Sequence, residues 1–214
     1  MHTVPVLNHR NRFGDPVPRL PSAPRQRHTA IAEYTGPLEV LRGHRILVLA
    51  DVENLSFSAQ KMLGYQVSYN SLAKHLMNAT SGCALHAFFS IQQHLTDANR
   101  AYFEARGWSA HHRPIEIVHT KQGERKRANI DNHLLFHAGV LCSRSSADTV
   151  VLASGDGDLV CDLARALSEL PAKRQIVTLS LAGSTSWRLN AQHNPWIAAN
   201  IELGQDCLRP LYRN

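Results

Sequence analysis

Two stretches of this sequence place acidic side chains directly after a short apolar run. The run at 46–50 leads into Asp51, Val52, Glu53 and Asn54, and the run at 150–153 leads into Ser154, Gly155, Asp156, Gly157 and Asp158. The two glycines free the backbone for a tight turn, so that Asp156 and Asp158 can converge without Cβ clashes. Asp131 is the third candidate. It lies three, four and seven residues before Leu134, Leu135 and Ala138, on their face of a helix. A carboxylate on such a stripe is tolerated near a helix N-terminus, where the macrodipole favours an anion. Carboxylates gathered in one cleft repel and raise one another's pKa. A divalent cation removes the conflict, and an all-oxygen donor set with no adjacent His or Cys pair at zinc spacing suits Mg²⁺ or Mn²⁺. Bound there, such an ion would polarise a phosphoryl oxygen and lower the pKa of a bound water. The plainer alternative is that Asp51 and Asp156 are N-caps or turn residues.

The elements that must carry these acids are legible as alternating patterns. Continuous apolar runs at 46–50, 84–89, 149–153 and 176–181 suit strands buried on both faces. Helical spacing falls between them: Leu72 with Leu76; Ala98, Tyr102 and Ala105; Ile130, Leu134, Leu135, Ala138 and Leu141; Leu159, Leu163 and Leu167. Alternation with short connections implies parallel strands with right-handed crossovers, hence a three-layer α/β/α sandwich with a mainly parallel central sheet. Ligands in such folds bind beyond the carboxyl ends of the strands, where Asp51 and the 154–158 turn would sit.

The sequence has 214 residues, 43% of them hydrophobic and 19% charged, which fits one packed domain of ordinary size. Six of the ten prolines fall in the first 37 residues, interleaved with Arg10, Arg12, Arg19, Arg25 and Arg27. That composition cannot build a core, so residues 1–40 are expected to form a flexible or loosely docked extension and 41–214 the domain. A net charge of +6 favours a polyanionic partner weakly. No apolar run approaches the roughly 18–20 residues that cross a bilayer, and the N-terminus does not read as a secretory signal. Cys83, Cys142, Cys161 and Cys207 form no CxxC pair, so reduced, buried thiols and a cytoplasmic location are expected. There is no P-loop signature and no GxSxG.

Lys121, Arg125, Lys126 and Arg127 lie in the connection that enters the Asp131 helix, where cations could hold substrate phosphates beside the acids. Ser154, Ser184 and Thr185 offer hydroxyls to a phosphate, although capping is the simpler role for the last two. Trp187 reads as a core residue, with base stacking as its alternative. His111 and His112 read as polar strand-end surface.

The blocks ILVLADVENL, RKRANIDNHLLFHAG and VVLASGDGDLVCDL, in that order and context, resemble those of the NYN branch of the PIN-like nucleases, which includes the LabA-like proteins. The likeness spans roughly residues 44–204. It implies a PIN-like fold and a metal-dependent phosphodiesterase that usually cleaves RNA. Asp51 would match the first-strand acid, Asn54 the asparagine three residues on, Asp131 the helix acid, and Asp156 and Asp158 the acids of SGDGD. One departure stands out: a second acid common in the family, six residues after the helix acid, is His137 here. The expected activity is therefore that of a Mg²⁺- or Mn²⁺-dependent endoribonuclease. An RNA- or protein-binding domain without turnover is one rival, and a small phosphoester hydrolase is another.

Overall fold

The computed structural model describes residues 37–120, 123–127 and 130–211. The Pro/Arg-rich stretch 1–36 and Lys121 lie outside them. A short 3₁₀ turn, Pro37–Leu41, precedes β1 (Arg45–Asp51) and α1 (Val52–Ser58), which runs on into a π-helical turn at Ala59–Leu63. Next come β2 (Tyr65–Val67), α2 (Tyr69–Ala79), β3 (Gly82–Ile91), α3 (Thr96–Glu104) and β4 (Trp108–Pro114). A hairpin of β5 (Glu116–Thr120) and β6 (Gly123–Arg127) leads towards α4 (Ile130–Arg144). The chain then forms β7 (Thr149–Ala153), α5 (Gly157–Ser168), β8 (Gln175–Leu181), β9 (Ala199–Leu203) and β10 (Leu208–Pro210).

Six strands form one sheet in the order β4-β3-β1-β7-β8-β9, and every neighbouring pair is parallel. The expected α/β sandwich is present. The chain builds outward from β1 to β3 and β4 and then crosses to β7 on the other flank. The order therefore reverses beside β1, and the crevice for a ligand opens beyond the ends of β1 and β7.

The sequence of β1 explains its central place. Ile46, Val48 and Ala50 point into one core, with Leu55 of α1 and Leu72 and Leu76 of α2. Leu47 and Leu49 point into the other, with Leu134 and Ala138 of α4 and Leu159 and Leu163 of α5. Only a strand without polar alternation can bury both faces, and each such side chain contributes about 1.5–3 kcal/mol of burial. Asp51 ends the run as the last residue of β1, one past the last β1–β7 pair, Ala50 with Ala153.

Two expectations need correction, and a third gains detail. Trp187 is not a core residue: its ring is 76% exposed. The segment around His111 and His112 is the edge strand β4, whose exposed polar residues hid it from a search for apolar runs. The basic connection is a hairpin, with Arg125, Lys126 and Arg127 opposite Val118, Ile117 and Glu116. The described cysteines are all free, although only Cys142 and Cys207 are buried and Cys83 and Cys161 are half-buried.

Candidate active site at the ends of β1 and β7

Asp51 is the best-defined member of the site. As the last residue of β1 it is 5% exposed, and it also caps α1. Its Oδ1 accepts the backbone N–H of Asn54 at 3.0 Å, and its Oδ2 accepts the hydroxyl of Ser154 at 3.2 Å. The N-cap role and the site role thus coexist, one oxygen serving the helix and the other facing β7. Burial pushes the Asp51 carboxyl up to about 7. The charges of Glu53 and Asp131 push the same way, against the bonds from Asn54 and Ser154. Three carboxylates from β1, α1 and α4 therefore share one electrostatic neighbourhood.

Glu53 is the member that sequence reasoning passed over, although it stands two residues after Asp51. It lies in the first turn of α1, and its Oε1 accepts the backbone N–H of Ser90 at 2.8 Å together with the Ser90 hydroxyl. It ties α1 to the end of β3 while adding negative charge next to Asp51. Asp131 is half-buried in the first turn of α4, beside the buried Ile130 and Leu134.

Asn54 joins the two strand ends. Its Oδ1 accepts the backbone N–H of Gly155 at 2.8 Å. Ser154 is buried, and its Oγ also receives the backbone N–H of Asp156 at 3.2 Å. Ser154 is thereby committed to holding the turn between the two acids. Gly155 is required where it stands, because a Cβ there would come within 2.6 Å of the Ser184 carbonyl oxygen. The turn after β8 is pressed that closely against the turn after β7.

Asp156 caps α5: its Oδ1 accepts the N–H groups of Asp158 at 2.9 Å and Leu159 at 3.4 Å. Asp158 is exposed, and its carboxylate pairs with Arg188. In this structure Asp156 thus serves the start of α5, and Asp158 is engaged by Arg188 from the turn after β8. Ser184 turns its hydroxyl back to the Leu181 carbonyl at 2.9 Å, and Thr185 bonds Ser180. Thr185 also lines a shallow pocket with Ser186, the exposed Trp187, Asn190, Asn200 and Glu202. Arg125, Lys126 and Arg127 are placed by the backbone of β6, and Lys121 lies outside the described residues.

The donor set of Asp51, Asp131 and Glu53 is all oxygen and suits a hard divalent cation. A buried carboxyl with a raised pKa beside two further acids is the electrostatic conflict that such an ion relieves. Among the described residues, the groups of three or more ligating side chains with all donor atoms within 4.8 Å are His111, His133 and His137, and His75, Asp206 and Cys207. Neither Asp51, Glu53 and Asp131 nor Asp51, Asp131, Asp156 and Asp158 form such a group.

Comparison with known proteins fits this architecture. Residues 45–198 match the NYN domain, and the chain belongs to that family. The domain places it in the PIN-like nuclease superfamily, whose members typically use divalent metals, and NYN nucleases generally act on RNA. A crystal structure of a Vibrio parahaemolyticus protein of unknown function has the same fold, with a TM-score of 0.62 and 17% identity over 78% of this chain and 98% of that one. A search of curated proteins found no match. Among the described residues, no helix is long and apolar enough to cross a membrane.

Proposed function

We propose that this chain is a metal-dependent endoribonuclease. The observation that carries the reading is Asp51: a buried carboxyl at the reversal point of a parallel sheet, held by Asn54 and Ser154 and raised to about 7 beside Asp131 and Glu53. Asp51 and Asp131 would hold Mg²⁺ or Mn²⁺, with Asp156 and Asp158 completing the set directly or through water. Bound there, the ion would supply Lewis acidity towards a phosphoryl oxygen and lower the pKa of a bound water, so that its hydroxide form is available as nucleophile. Asn54 and Ser154 fix the Asp51 carboxylate, and Glu53 fixes α1 against β3. The basic stretch from Lys121 to Arg127 grips flanking phosphates, Ser184 and Thr185 stand beside the turn that carries the acids, and Trp187 offers an exposed ring for stacking on a base. Residues 1–40 act as an extension to a nuclease domain at 41–214. Free thiols, with burial pushing Cys207 up to about 12, suit the reducing cytoplasm.

A second reading, an RNA-binding domain without turnover, draws support from acids that form no such close group and from His137 at a position the family often gives to an acid. One experiment separates the two. Labelled single-stranded RNA and matching DNA are incubated with the chain in Mn²⁺, Mg²⁺ or EDTA, beside an Asp51→Asn/Asp156→Asn variant. RNA cleavage that needs metal and disappears in the variant supports the nuclease. RNA binding without products in any metal overturns it in favour of the binding domain.

A further inference from the structure

His133 and His137 are four residues apart on α4, so their rings share one face, with centroids 4.3 Å apart. His111 reaches the same place from β4, its ring 5.1 Å from that of His137. Its orientation is fixed twice, by a stack on the buried Phe88 at 4.6 Å and by His86, whose Nδ1 lies 2.9 Å from His111 Nε2. One nitrogen from each of the three rings lies within 4.8 Å of the other two, and all three residues are half-buried.

We propose that His111, His133 and His137 form a binding site for a divalent transition metal of the Zn²⁺ type. Zn²⁺ takes imidazole nitrogens at about 2.0–2.1 Å in a tetrahedron, which sets the nitrogens about 3.3 Å apart. Closure by at most about 1.5 Å brings the three donors to that spacing, within reach of small rotations of the two helix histidines. The three residues are half-buried, and water would fill the fourth position. His86 is the outer partner that orients His111, as ligating histidines require.

Burial and neighbouring charge act on two of the three rings. Burial, then the neighbouring His86, His137, His133 and His112, hold His111 down at about 4. Burial, then His137, Arg113 and His112, lower His133. Both effects favour the neutral imidazole, the form that ligates a metal.

The competing group of His75, Asp206 and Cys207 offers one imidazole against three, although its Asp206 Oδ2 is buried without a hydrogen-bond partner. His75 Nε2 pairs with Asp206 at 3.2 Å, its Nδ1 lies 3.6 Å from Cys207 Sγ, and the thiol keeps its proton. The proposed site differs from the carboxylate crevice in its donors: borderline ions prefer imidazole and hard ions prefer oxygen. An ion held there would clamp α4, which carries Asp131, to the edge strand β4.

The test uses the full chain, stripped with EDTA and titrated with Zn²⁺ by calorimetry, with Co²⁺ absorption as a report on tetrahedral geometry. One equivalent of Zn²⁺ is expected, with affinity lowered more than about tenfold in His111→Ala and in His137→Gln and unchanged in His75→Ala and Asp51→Asn. Circular dichroism checks folding, and His137→Gln, at a half-buried helix position, keeps the test decisive if His111→Ala fails to fold. No Zn²⁺ uptake by the natural chain overturns the proposal. Uptake undiminished in the folded histidine variants but lost in His75→Ala or Asp51→Asn overturns it too, by placing the ion elsewhere. These outcomes do not depend on whether the chain cleaves RNA.

Discussion

Asn54 Oδ1 accepts the backbone N–H of Gly155 at 2.8 Å, so a side chain from the start of α1 closes the turn that follows β7. The two strand ends that flank the reversal of strand order are thus tied by one bond. Asn54→Ala leaves a buried N–H without its acceptor and is expected to cost about 1–3 kcal/mol. Asn54→Asp keeps an acceptor but adds a fourth carboxylate near Asp51. Denaturant unfolding should find Asn54→Ala the less stable of the two in high Mg²⁺, with the order narrowing or reversing in EDTA.

The pH dependence of stability should expose Asp51. Its carboxyl is raised from the model-compound value of 3.8 to about 7, chiefly by burial. Between those values the native chain holds a proton that the unfolded chain has lost, so this residue's contribution falls as pH rises through that window and is gone above it. Histidines held low, such as His111, act in the opposite sense, because the unfolded chain takes up protons first as pH falls through about 6.5. The contribution of Asp51 is therefore read as the difference between the natural chain and Asp51→Asn, both in EDTA. The advantage of Asn at this position should grow from pH 4 to pH 7 and then level off. A flat difference would mean that the carboxyl ionises normally.

Asp156→Asn separates capping from chemistry. Asn caps a helix about as well as Asp, so the bonds to Asp158 and Leu159 survive, whereas Ala at this position costs about 1 kcal/mol. If Asp156 contributes charge to an ion site, Asp156→Asn should unfold at the same denaturant concentration as the natural chain while RNA cleavage drops by about 100-fold or more. Equal turnover would leave Asp156 a cap and nothing more.

What was legible in the sequence follows from which residues announce themselves by pattern. The strands β1, β3, β7 and β8 were readable because burial on both faces leaves no polar alternation, and Asp51 followed from where β1 stops. The edge strand β4 was not, since His111, His112 and Arg113 face partly to solvent and carry no apolar run. The histidine cluster is half legible: His133 and His137 stand four apart, a spacing present in the sequence, but His111 joins them only because β4 lies beside α4, a tertiary fact. Glu53 was visible as a residue but not as a site member, because its tie to Ser90 joins elements 37 positions apart. Its place after β7 and the match to SGDGD put Asp158 on the site, whereas its pairing with Arg188, 30 positions on, depends on the turn after β8.

That turn gives the last prediction. Gly155 lies against the backbone carbonyl of Ser184, and a Cβ would approach its oxygen to 2.6 Å. The obstacle is backbone, so no side-chain rotation relieves it, and one of the two turns must move. Overpacking of this kind costs about 1–3 kcal/mol. The displacement would fall on Ser154 and Asn54, which fix Asp51 and meet at this residue. Gly155→Ala is therefore expected to lower stability by that amount and to weaken metal-dependent cleavage more than a loss of folded protein explains. The check is specific activity per folded molecule, taken at a temperature where circular dichroism finds the variant fully native. Activity equal to that of the natural chain under those conditions would mean that the Asn54, Gly155 and Ser154 contacts do not govern the position of Asp51.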